Sequence, residues 1–199
     1  MKKFKLTSEF IVDISGVKLF RIKALIEFGN VKAGDLGGYI EKEENLSHMG
    51  DAWVSDDARI SGNAQVFGNA QVFGDAQVFG DARVSGDAQV SGNARVFGDA
   101  QVSGNARVSG NARVSGDAQV FGDARVSGDK DYAYAHGFGS CNRTTTFFRL
   151  KDGDVGVRCG CFYGTLAQFR DKVCETHGET KKAQEYLMLA DLMEIRFKN

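Results

Sequence analysis

Proline is absent from all 199 residues, and histidine is absent from the long regular stretch that dominates the chain. Without proline, no backbone amide is lost as a donor, which suits a structure built largely from hydrogen-bonded ladders. Without an excess of charge of either sign (formal net charge −1), no global field draws in DNA, RNA or an anionic membrane, so general nucleic-acid binding is not expected. The N-terminal stretch MKKFKLTSEFIVDISG has a basic start, but Glu9 and Asp13 interrupt its apolar part, so neither a signal peptide nor a membrane span is expected and the chain is assigned to the cytoplasm. Cysteine occurs four times, at Cys141, Cys159, Cys161 and Cys174, all outside the regular stretch. In a reducing compartment these read as free thiols. Cys159 and Cys161 form a C-x-C with no second ligand pair, so neither metal nor cofactor is expected.

What the chain has instead is a six-residue repeat. From Gly50 to Ser127, 13 units of the type GDAQVF or GNARVS follow without a slip, with DDARIS the one unit lacking glycine. Ala and Val alternate with Gln or Arg and then Phe or Ser, the period-two pattern of a short strand with one buried face. The Gly-Asp or Gly-Asn pair breaks each strand, because both positions tolerate the positive φ that turns a corner. So short a strand cannot bury its apolar face alone, and the units must stack. Three per coil, about 18 residues, closes a triangular prism. The fold class is therefore mainly β, a parallel β-helix of about four coils. Ile40 and Leu46, in phase with Ala52, hint at an imperfect earlier coil.

Flanking segments read as caps. Glu9–Ile14 and Val17–Ile22, joined by Ser15-Gly16, form a hairpin within an N-terminal region 1–49, ahead of a helix region 50–133. In the remaining region 134–199, Thr144–Leu150 and Val155–Tyr163 form a second hairpin and two helices follow. One is capped by Thr165 and stopped by Gly178; the other runs from Thr180 with Ala183, Tyr186, Leu187, Ala190 and Met193 on one face. That face is expected to cover the open end of the coils, or alternatively to pair subunits.

An 18-residue coil stacks Arg59, Gln77, Arg95 and Arg113 on one face with Phe79 and Phe97 beside them. Rows of guanidinium groups suit phosphate recognition, and apolar rings among them resemble interface anchors, so Arg95 and Arg113 are candidate ligand-binding residues and Phe79 and Phe97 candidate interface residues. The polar run Ser140, Asn142, Arg143, Thr144 is a second candidate binding region. His136, beside glycines at the end of the array, is the one candidate general base, with no partner evident.

The segments LFRIKALIEFGNVKAGDLGGYIEKEENLS, the GNARVSG-type array, GSCNRTTTFFRLKDG, RCGCFYGTL and ETHGE together resemble a family of hexapeptide-repeat proteins carried by phages and prophages, sometimes labelled polymer-forming or acetyltransferase-like. The resemblance implies a left-handed β-helix; the hand comes from it alone. It also brings in the hexapeptide acyltransferases, which trimerise and place a histidine between subunits beside an acyl-coenzyme A groove. This chain has no histidine within its coils and no inserted loop between Gly50 and Ser127. The expected function is thus a non-catalytic binding or scaffold protein that self-associates, a trimer being favoured, and sequesters a small anionic ligand such as a nucleotide immune signal. An acyltransferase using His136 and a filament-forming module are the alternatives.

Overall fold

The computed structural model describes residues 2–140 and 143–198. Two long strands, β1 (Phe4–Val12) and β2 (Lys18–Ala24), pair antiparallel around a turn in which the Asp13 carboxylate accepts from the Ser15 and Val17 amides. Strand β3 (Leu36–Ile40) follows, and then thirteen two-residue strands, β4 (Trp53–Val54) to β16 (Arg125–Val126), one per hexapeptide. The thirteen lie in three parallel sheets, each strand pairing with the one three units on. One of these sheets continues through β3 into β2 and β1. The architecture is a parallel β-solenoid.

Packing follows the repeat. Every Ala and Val of the units from Ala52 to Val126 points inward and is at most 1 % exposed, forming one continuous core column. At the corners the glycines hold φ near +60° to +73°, and in the DDARIS unit Asp56 adopts the same left-handed conformation at φ 54°. Aspartate is among the few other residues that tolerate it, which is how one unit lacks glycine without losing the corner.

The lead-in is a complete coil, in a different phase from the one expected. Ile40 pairs with Ile60 and Leu46 with Val66, both 20 residues on, so Ile40 and Leu46 occupy the Val position and their successor is Val54, not Ala52. Two extra residues between Leu46 and Val54 displace the register. Counting this coil, the inward column has five turns, not four.

Each end of the solenoid leaves backbone groups without a neighbouring coil, and side chains take the neighbour's place. At the first coil the buried Lys3 ammonium donates to the carbonyls of Gly50 (3.2 Å) and Ala52 (2.7 Å), and the Asn45 amide donates to those of Gly62 and Ala64. Burial lowers the Lys3 pKa to about 8, partly offset by the charge of Asp51. At the last coil the free groups are amides, and acceptors meet them. Asp129 Oδ1 accepts from Arg113 N–H, Thr146 Oγ1 from Gln119 N–H, and Asp131 Oδ2 from the amides of Ser127 and Gly128.

Beyond the coils, β17 (Tyr132–Ala135), β18 (Thr145–Arg149), β19 (Val155–Cys159) and β20 (Phe162–Thr165) form a four-stranded antiparallel sheet. The single strand expected over Val155–Tyr163 is two, because Gly160 at φ 59° reverses the chain. Along β18 the side chains alternate. Phe148 joins the solenoid core, and Phe147 packs with Phe169 and Val173 of α1 (Leu166–His177) and with Ala183, Tyr186, Ala190 and Met193 of α2 (Lys181–Phe197). The helical stripe therefore covers the sheet, and the sheet covers the last coil. No helix among the described residues is long and apolar enough to cross a membrane.

Candidate functional site

Parallel pairing aligns outward residues as strictly as inward ones. Arg59 lies opposite Gln77, Gln77 opposite Arg95, and Arg95 opposite Arg113, in β5 (Arg59–Ile60), β8 (Gln77–Val78), β11 (Arg95–Val96) and β14 (Arg113–Val114). Arg95 and Arg113 are exposed. Among the described residues none of Arg59, Arg95 and Arg113 forms an ion pair, and of the corner side chains beside them Asn63 bonds to Asp81 and Asn93 to Asn111. Three guanidinium groups outside any ion pair thus share one face.

Two residues further along the same strands, Phe79 and Phe97 stack on each other with centroids 5.0 Å apart and planes 2° from parallel. Ser61 and Ser115 hold the equivalent positions in the coils on either side. The outer ring faces therefore look over small side chains rather than over further rings. Above this face the β1–β2 turn overhangs, and a groove of about 210 Å³ lies between Asp13, Ser15 and Leu19 of the hairpin and Arg59, Phe79 and Arg95 of the coils. The overhang is not legible in the sequence, because it depends on how far the hairpin bends along the solenoid.

The second candidate region is divided. Ser140 and Arg143 line a separate cleft of about 220 Å³ with Cys159, Lys172, His177 and Tyr186. There the Ser140 amide donates to the Tyr186 hydroxyl at 3.0 Å, and burial is the main cause raising the Tyr186 pKa. Thr144 instead lies beside His136, 2.9 Å from its Nδ1. Asn142 falls outside the described residues. Sequence reasoning missed Lys172, His177 and Tyr186, which the helices bring in from 29 to 46 residues away.

His136 does have neighbours, Thr144 and, at 3.8 Å, Asp117. Both face the same ring nitrogen, Nδ1. A nucleophile–base–orienter relay needs its outer groups on opposite nitrogens, so this trio does not assemble one. Cys159, Cys161 and Cys174 are free thiols. Among the described residues no three His, Cys, Asp or Glu side chains are grouped to hold a metal ion.

A family model described as the YdcK beta solenoid repeat matches residues 58–74, 76–88, 88–104 and 100–116, all within the coils. These hexapeptides are similar to that repeat, in agreement with the stacked coils. No curated protein matches the chain.

Proposed function

We propose that this β-solenoid is a non-catalytic binding scaffold that holds a small anionic, ring-bearing ligand, of which a nucleotide is the natural example, in the groove between the hairpin turn and the arginine face. The observation that carries the reading is the conjunction of Arg59 and Arg95, free of ion pairs, with the unstacked face of Phe79 in one groove. A planar base continues the Phe97–Phe79 stack into the space left by Ser61, while guanidinium groups take the phosphate in bidentate fashion. In a phage gene, such a protein would serve to withdraw a nucleotide immune signal from its receptor. Through their outer edges Phe79 and Phe97 also anchor self-association in this reading, which leaves their outer faces to the ligand. Subunits packed on this face, three around an axis, would turn the groove into an intersubunit site.

Melting of the purified protein with a panel of linear and cyclic nucleotides tests the reading. At 100-fold excess over Kd a true ligand stabilises by about 2.7 kcal/mol, an unmistakable rise in Tm, and Arg95→Ala removes it without unfolding the chain, because Arg95 is exposed. No shift with any member of the panel overturns the reading. Acyl transfer with His136 as base is the weaker reading, given the single nitrogen that its two neighbours share.

A further inference from the structure

The arginine face continues past the groove, and its two kinds of residue run as parallel rails. Arg59, Gln77, Arg95 and Arg113 form one column along the solenoid axis; Ser61, Phe79, Phe97 and Ser115 form the other, two residues along each strand and on the same outward side. At about 4.8 Å per strand the first column runs roughly 14 Å from Arg59 to Arg113, and the columns lie roughly 7 Å apart. A single phosphate occupies only a fraction of such a length.

The polarity of the ends bounds the rail. In the same row, Arg21 lies opposite Tyr39 and Tyr39 opposite Arg59. There Arg21 Nη1 stands 3.6 Å from Glu9 and the Tyr39 hydroxyl donates to the same carboxylate, so the charge of Arg21 is already matched. At the other end, α2 brings Arg196 against the carbonyls of Asp129 and Tyr132, and Asp129 in turn caps the Arg113 amide. The stretch free of ion pairs is therefore Arg59 to Arg113, bounded by the carboxylate of Glu9 at one end and by that of Asp129 at the other.

Building on the nucleotide reading above, we infer that the ligand is a linear chain of phosphodiesters, a short single-stranded oligonucleotide lying along the solenoid axis, with its backbone on the arginine column and bases stacked on the outer faces of Phe79 and Phe97. Charged rails beside stacking rings are the means by which proteins hold single strands without reading their sequence. The two free ring faces, one over Ser61 and one over Ser115, set the number of stacked bases at two.

Fluorescence anisotropy with a labelled thymidine trinucleotide, competed by thymidine monophosphate and by inorganic tripolyphosphate, tests this. The trinucleotide is expected to bind at least ten-fold more tightly than the monophosphate. The logarithm of its affinity should fall with the logarithm of salt concentration at a slope of about −1.4 to −2.1, as for two to three contacted phosphates. Arg113→Ala should cancel the ten-fold gain. Equal affinity for trinucleotide and monophosphate, or a silent Arg113→Ala, overturns the rail and leaves the groove reading standing. Tripolyphosphate competing as well as the trinucleotide overturns the base-stacking rail. Absence of binding by every probe removes the rail, while the melting panel of linear and cyclic nucleotides decides the groove reading separately.

Discussion

Gly98 sits at a corner with φ 71°, and a Cβ there would lie 3.0 Å from the amide nitrogen of Gly116 in the next coil. Backbone conformation and close approach both demand glycine, and the same pair of reasons recurs at nearly every corner of the array. Gly128 has neither reason: its φ of −159° is ordinary extended backbone and a Cβ would meet nothing within 4 Å. Gly98→Ala is therefore expected to cost at least about 1–2 kcal/mol and Gly128→Ala close to nothing, as measured by urea denaturation. At this scale the sequence was almost fully legible. The columns of Arg59, Gln77, Arg95 and Arg113, and of Phe79 and Phe97, follow from counting by eighteen, and the pairings place them so. Ile40 and Leu46 eluded the count because two extra residues break the interval, and Tyr39 and Arg21 were lost to the row with them.

Among elements, the least legible were those that close the ends, because their contacts join residues with no common period. The turn Asp129–Asp131 ahead of β17 is the clearest case. Burial opposes the Asp131 charge, yet hydrogen bonds from the Ser127 hydroxyl and the Ser127 and Gly128 amides, with the nearby Arg149 charge, outweigh it and hold the carboxyl below its usual pKa. The folded-state value lies under the unfolded one, so the stabilisation is complete above the unfolded pKa of about 3.9 and is lost as pH falls through the folded value. Asp131→Ala leaves two amides without acceptors and is expected to cost about 2–3 kcal/mol at pH 7. The deficit against wild type should shrink below about pH 4. Chemical denaturation of both proteins across pH 3–7 measures it, and a deficit independent of pH would show that the charge plays no part. The amphipathic stripe on α2 was readable, but not its target, since only the fold reveals that β18 turns Phe147 to the helices and Phe148 to the coils.

For the whole molecule, Lys3 and Asn45 occupy the carbonyls at one end, and Asp129, Asp131 and Thr146 the amides at the other. End-to-end growth into a filament would require both sets to be vacated, which counts against the filament-forming alternative. Three sheets around one axis also make the molecule a screw with a fixed pitch of eighteen residues. Duplicating residues 98–115 after Ser115 inserts one full thread: small-angle scattering should show a body about 4.8 Å longer, with thermal stability kept. Inserting a single GDAQVS between Phe97 and Gly98 should also fold, since it satisfies every local rule of the repeat. That shorter insertion rotates all that follows by a third of a turn. Arg113 would leave the side of the molecule that carries Arg95, and the C-terminal sheet would swing away from its bearing relative to the hairpin. Two insertions of the same composition, differing only in angular phase, would thus separate what the protein needs to be stable from what it needs to present a surface.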